Sequence, residues 1–441
     1  MANSTRDRFE LNITAGEESE PAVRREEDEA LRIAFIGDFS GRAQRDPIAR
    51  RRPLIVDPDN FESVLRRLNV EIDLRGERIP ITDLDDFHPD RLWANLSVFD
   101  QFRELRKRLG DPKTFPAAAK ELVGELPPPP KPASGADLLE QMLGGTAAAP
   151  RRERPVDDLQ AFIQKAVQPY LVAAADPRAP ELIGRVDAAA AGVMRMILRD
   201  PKFRALESAW RSVWLLLQRL ETGPELKIYL YDITKEELAA ETGAVYDLLT
   251  LRSDPFGLLL GNYAFGADEC RLMTKVAAIA AKAGAPWLSE ADASLLGSTE
   301  WSAFRRTEAA SWLGLALPRV MIRMPYGKDS DPCEGFPFEE MEGVPDARQM
   351  LFANPAVFCG LLLAQDEDGH VRDIHGLPLY TFKREGEAES FPLVEIELTE
   401  DTAEALLDNG IMPVVGIRNT DQVRVLRFQS ASEPPQALHR H

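Results

Sequence analysis

The chain has 441 residues, 44% of them hydrophobic, and a formal net charge of −19. That length and apolar content fit two or three domains with their own cores and exclude a disordered chain. The acidic balance excludes nucleic acid and anionic membrane as main partners, because both repel such a surface. No apolar run approaches the ~20 residues that cross a bilayer. The opening MANSTRDRFELNI also lacks an apolar leader core, so a cytoplasmic location is expected. Cys270, Cys333 and Cys359 are an odd, dispersed set without a CxxC pair. They fit neither a disulfide framework nor a zinc site and read as small buried residues or inert thiols.

In chain order, residues 8–14 (RFELNIT) alternate like a short strand, and an acidic stretch follows over 17–29, with Glu17, Glu18, Glu20 and Glu26. Leu31–Ile36 is a continuous apolar run ending in Gly37-Asp38, the pattern of a buried strand entering a turn. The basic runs at Arg50–Arg52 and Arg151–Arg154 are short and read as solvated turns. Asp59 or Asn60 caps a helix from Phe61 to Leu68 with Phe61, Val64, Leu65 and Leu68 on one face. One long amphipathic helix is expected from Asp90 through Leu109.

The run LPPPPKP at 126–132 breaks regular structure and is the strongest boundary, since proline fixes φ and lacks a donor. Beyond it, a short helix over 137–143 (DLLEQML) groups Leu138, Leu139, Met142 and Leu143 on one side and stops at Gly144-Gly145. A second helical region runs from Pro155 to about Leu198. Asp200-Pro201 then opens a helix with Phe203, Leu206, Trp210, Val213, Leu217 and Leu220 in one stripe. The strand Leu226–Tyr231 follows, and Thr234 with Glu237 forms a capping box. Apolar runs at 256–265, 315–325, 352–363 and 393–398, then a helix 399–407 ended by Asn409-Gly410, continue the alternation. The fold class is therefore α/β (mixed α+β), with mixed sheets flanked by helices.

Chemistry is sparse. Neither GxxxxGK[ST] nor GxGxxG occurs. The run from Asp57 to Asn60 begins like a calcium loop but has Glu62 and Leu68 where glycine and glutamate belong, and reads as a helix cap. A nucleophile turn around Ser40 has no histidine placed to serve it. Asp366, Asp368, His370, Asp373 and His375 bring metal-ligand types together, which defines a metal-dependent enzyme as the competing class. Their spacing matches no metal motif, and Glu367-Asp368-Gly369 is a hairpin turn, so a polar turn is expected. No catalytic, cofactor-binding or metal residue is assigned, and the chain is not expected to be an enzyme.

Two sets of residues carry a resemblance. Gly37, Asp38, Phe39, Gly41 and Arg42, followed by Asp57, Asn60 and Phe61, resemble the small subunit of the type VI secretion contractile sheath. Trp210, Arg211, Gly261, Tyr263, Pro325 and Tyr326 resemble the large subunit of the same sheath. The resemblance implies two fused sheath-like modules: a small-subunit-like module over 1–125, a Pro-rich linker with a short apolar helix over 126–155, and a large-subunit-like module over 156–441. Phe352-Ala353-Asn354 stands where the family has Trp-Gly-Asn, and the sequence stops soon after Gln429-Ser430, so the large-subunit part is expected to be shortened at its C-terminus.

By the same resemblance, the chain assembles into a ring or helical tube around an inner tube protein, contacts baseplate components and ejects the tube on contraction. Neighbouring subunits complete one another's sheets, with Phe9–Ile13 a candidate strand, and a AAA+ disassembly ATPase grips a helix at the place of 137–143. The alternative in the same class is a non-polymerising cap or accessory factor that regulates assembly.

Overall fold

The computed structural model describes residues 30–74, 76–124, 176–366 and 369–440. The expected strand at 8–14, the proline run and the helix at 137–143 lie outside them.

The first region supplies β1 (Leu31–Gly37), β2 (Leu54–Val56), α1 (Phe61–Leu68), the hairpin of β3 (Glu71–Leu74) and β4 (Glu77–Pro80), and the helices α2 (Pro89–Asn95), α3 (Asp100–Gly110) and α4 (Phe115–Val123). The single helix expected from Asp90 to Leu109 is two helices. Leu96 is extended (φ −82°, ψ 135°), and Arg103 from α3 reaches back to donate to the carbonyls of Trp93 and Leu96.

The second region opens with α5 (Ala179–Leu198) and α6 (Pro201–Arg219), then β5 (Leu226–Asp232), α7 (Lys235–Ala240) and α8 (Thr242–Thr250). Next come β6 (Leu258–Phe265), α9 (Cys270–Ala283), β7 (Trp287–Ala291), α10 (Thr299–Arg305) and β8 (Leu313–Leu317). The run read as continuous over 315–325 is divided, with β8 ending at Leu317 and a short β9 (Val320–Met321) pairing with β10 (Phe352–Ala353). After α11 (Pro355–Gln365) come β11 (Asp373–Ile374), the hairpin of β12 (Thr381–Arg384) and β13 (Glu387–Ser390), α12 (Glu400–Asp408), β14 (Ile411–Gly416) and β15 (Val423–Val425).

The described residues form a nine-stranded sheet in the order β11-β15-β14-β8-β7-β6-β1-β5-β2. Its middle is parallel. β1 pairs with β5 from Leu31↔Leu226 to Gly37↔Asp232 and, on its other side, with β6 from Ile33↔Leu258 to Ile36↔Gly261. The first region's strand is thus interior to a sheet otherwise built mainly by the second region. Its unbroken apolar run follows from that place, because a parallel strand with helices on both faces meets core either way. Ile33 and Phe35 face one core with Phe203, Trp210 and Leu362, while Ala34 and Ile36 face the other with Val245, Val276 and Trp301. Helix α11 is buried almost all round, which explains a sequence without a polar stripe.

Candidate functional site

The small-subunit-like motif folds around one carboxylate from the second region. At the C-terminal end of β1 the backbone N–H groups of Phe39 and Ser40 donate to Asp232 Oδ1 at 2.9 and 3.0 Å. Arg45 Nε donates to Asp232 Oδ2 at 3.1 Å and to Ser40 Oγ at 3.0 Å, and its guanidinium also pairs with Asp38. Asp38 in turn accepts from Gly41 N at 2.9 Å. Gly41 has φ +67°, and a Cβ there would lie 2.4 Å from the carbonyl oxygen of Glu71, so both conformation and space require glycine. Arg51 donates to the Asp232 carbonyl at 2.7 Å and grips both oxygens of Glu237. Glu237 also closes the capping box of α7 by accepting from Thr234 N at 3.0 Å. Asp57 and Asn60 hold each other: Asp57 Oδ1 accepts from Asn60 N at 2.9 Å and Asn60 Oδ1 from Asp57 N at 3.1 Å. Asn60 is the N-cap residue of α1, but its side chain serves this turn and makes no cap bond to the helix.

Trp210, on α6, joins the two regions. Its Nε1 donates to the Phe39 carbonyl at 2.8 Å in a fully buried bond. The rings of Phe39 and Phe61 meet it edge-on at 5.9 and 5.6 Å, a favoured aromatic geometry.

One turn away on α6, Glu207 has no exposed surface and anchors a buried ion network. It accepts from Arg211 Nε at 2.8 Å, Arg323 Nε at 2.7 Å and the Tyr326 hydroxyl at 3.2 Å. Arg211 Nη2 donates to the Tyr326 hydroxyl at 2.9 Å, and Arg323 Nη1 donates to Glu340 at 2.8 Å. Tyr326 lies edge-on to His88 of the first region at 4.9 Å, and its neighbour Pro325 offers its carbonyl to Ser330 Oγ. The same loop is held by Asp90 of α2, which accepts from Glu334 N and Gly335 N at 2.9 and 2.8 Å, and Trp93 stacks on Phe336 at 4.4 Å.

Gly261 and Tyr263 sit at the sheet centre. A Cβ on Gly261 would lie 2.5 Å from both Trp287 Nε1 and Ser289 Oγ, atoms joined to each other at 2.9 Å. Tyr263 donates its hydroxyl to the Ile233 carbonyl at 2.7 Å, and its own carbonyl accepts from Asn354 at 3.1 Å.

The motif residues of the two regions therefore converge on one seam. The residues Asp232, Arg45 and Glu340, which complete it, were not singled out by the sequence; Asp232 ends a strand and Glu340 lies in a loop, positions with no periodic signal.

A cavity of about 530 Å³ opens at the C-terminal ends of β6 and β7, lined by Arg204, Asn262, Glu290, Arg319 and Glu395 among others. Burial pushes the Glu290 carboxyl up to about 7, against the pull of Arg319 at 3.7 Å. A carboxyl raised in the folded state favours folding most below its ordinary value of ~4.3, and that contribution is lost as pH rises through about 7. Replacing Glu290 with Gln should remove this loss. The Tm advantage of the variant should widen between pH 5 and pH 8 by on the order of 2–4 °C. A constant difference across that range in thermal melts would contradict it.

The acidic and histidine-bearing turn is differently engaged. Arg424 grips Asp373 bidentately at 2.6 and 2.8 Å, Asp366 accepts from Val371 N at 2.7 Å, and His370 and His375 are exposed. Asp368 lies outside the described residues. Among the described residues no group of three or more His, Cys, Asp or Glu side chains is placed to hold a metal ion. Cys359 is buried, and burial pushes its thiol up to about 12, whereas Cys270 and Cys333 are half-buried. Among the described residues no helix is long and apolar enough to cross a membrane.

With the seam in place, the family follows. The family described as EvpB/VC_A0108, tail sheath N-terminal domain (VipB) matches residues 180–302 and 297–432, more than half of the chain. The chain belongs to this tail sheath family. The type VI secretion family described as VipA, VC_A0107 or Hcp2 matches residues 12–122, so both sheath families occur in one polypeptide. The type VI secretion system sheath protein TssC1 of Pseudomonas aeruginosa (strain PAO1) is 27% identical over 307 residues, 57% of this chain and 61% of that protein. The chain thus spans less than two thirds of the length of this curated relative. A chain in the cryo-EM structure of the anti-feeding prophage baseplate, 6-fold symmetrised, aligns over 51% of each chain at 14% identity with a TM-score of 0.30.

Proposed function

We propose that this chain is a structural subunit of a type VI secretion contractile sheath, assembling with copies of itself in the cytoplasm around an inner tube and driving tube ejection on contraction. The observation that carries the reading is the placement of β1, from the VipA-matching region, between β5 and β6 of the VipB-matching region. A subunit that transmits force needs its two halves joined by bonds that do not slip. Two parallel strand pairings, the Trp210–Phe39 bond and the buried Glu207 network supply such a join. The role needs no bond-making chemistry, since many repeated contacts give a cooperative lattice change by themselves. Association with a baseplate, and recycling by a AAA+ ATPase through Leu138, Leu139, Met142 and Leu143, belong to the same proposal; those four residues lie outside the described ones.

Negative-stain microscopy of the purified chain, alone and mixed with its cognate tube protein, tests the reading. Stacked rings or tubes are the expected result. Small particles under both conditions would replace it with the cap or accessory reading.

A further inference from the structure

The sheath reading leaves unused a concentration of arginines at the edge of the sheet. Arg42, Arg50, Arg52 and Arg67 line a cleft of about 310 Å³ together with Arg45 and Arg51. Arg45 and Arg51 are spent on Asp38, Asp232 and Glu237. The other four form no ion pair among the described residues: Arg50, Arg52 and Arg67 are exposed, and Arg42 Nε is buried without a hydrogen-bond partner. Besides Asp232, Asp46 is the carboxylate on the cleft wall, so the four guanidinium charges are only partly offset.

On a chain of net charge −19 this is a local reversal of sign, and like charges gathered in a concave site raise the local concentration of anions. The cleft also runs into β2, because Leu54 lines it. Within the described sheet β2 pairs with β5 alone, leaving its outer edge open, and Ile55 on it is 47% exposed. An extended acidic segment meets both needs, carboxylates for the arginines and backbone groups for the open edge.

We infer that this cleft is the docking site for the acidic segment at residues 17–20 of the same chain. The segment places Glu17, Glu18 and Glu20 within four positions. Reach is sufficient. The cleft lies at the C-terminal end of β1, where Gly37 pairs with Asp232, while the preceding chain joins at the N-terminal end, a strand length of ~23 Å away. Extended chain from Ala30 back to Glu20 covers ~33 Å. The tether also raises the effective concentration of the chain's own segment to about the millimolar range, above that of any neighbour's in dilute solution. Docking there covers the edge of β2. The inference rests on the charge arrangement and not on the sheath reading.

Two measurements on the full chain test it. With Cys270 and Cys333 changed to Ser, the pair Glu18→Cys and Arg52→Cys should form a disulfide within one chain under mild oxidation at low micromolar concentration. It should form about tenfold faster than the distant pair Glu18→Cys and Arg418→Cys, and the advantage should fall away in 1 M NaCl, where the screening length is ~3 Å. Dimers alone would mean that a neighbour supplies the segment, and equal rates for the two pairs would mean that the cleft does not hold it; either overturns the inference. Independently, trypsin should cleave after Arg24 and Arg25 about tenfold faster in Arg50→Glu/Arg67→Glu than in the unaltered chain. Equal cleavage rates would overturn the inference as well.

Discussion

Changing Arg323 to Met will destabilise the protein by about 3–5 kcal/mol, because it strands two buried carboxylates. In the intact network Arg323 serves Glu207 and Glu340 together, and both acids are almost fully buried. Burial alone would raise the Glu207 carboxyl, but Arg323 and Arg211 outweigh it and hold the group below its ordinary value. A carboxyl lowered in the folded state contributes stability above its unfolded pKa of ~4.3, and the contribution disappears as pH falls through the lower folded value. In the Met variant burial prevails over Arg211 alone, the carboxyl rises above ~4.3, and stability then falls with increasing pH. Between pH 5 and pH 8 the Glu207 contribution in the parent is constant, so urea melts at the two pH values should show the Met variant losing more stability than the parent as pH rises. A variant within 1 kcal/mol of the parent and with the same slope would show that Glu207 does not depend on Arg323. A triple variant with Glu207→Gln and Glu340→Gln added should recover part of the loss, since both stranded carboxylates are gone and the charge left without its ion-pair partner, Arg211, is 22% exposed.

The second large effect is at the seam itself. Replacing Trp210 with Ala should cost about 3–5 kcal/mol through the cavity it opens. The ring is fully buried between Phe39 and Phe61. Trp210→Phe keeps most of the packing yet leaves the Phe39 carbonyl without its donor, at a cost of about 1–3 kcal/mol. In both variants urea unfolding should remain one cooperative transition, because the two regions share a sheet and a core. Separate transitions for the two regions would refute the seam as a common structural unit.

The elements that could be read from the sequence are those whose signal is local. β1, α1, α6, β5 and the Thr234–Glu237 box follow from periodicity, caps and turn residues within a few positions of each other. What could not be read is what those elements meet. Glu207 and Arg211 look like an ordinary surface pair one helical turn apart, and only the arrival of Arg323 and Glu340 from a distant loop makes the site a buried network. The break between α2 and α3 is silent in the pattern because apolar spacing continues through Leu96. The run over 315–325 reads as one continuous apolar stretch because its composition does not show that Val320–Met321 leaves the sheet for β10. The interior place of β1 is likewise invisible, since a continuous apolar strand is compatible with many neighbours.

That place has a consequence for how the molecule is made. Phe39 finds its partner at Asp232, 193 positions further along the chain. During synthesis the strand leaves the ribosome long before either of its neighbours exists, so its apolar length needs shelter until β5 and β6 arrive. Carried on two polypeptides, the same insertion would be a bimolecular encounter that slows and weakens with dilution. On one polypeptide it becomes a loop closure whose cost grows only slowly with the length of the loop. The two halves are then delivered in strict one-to-one ratio, and the join between them is indifferent to how scarce the protein is in the cell.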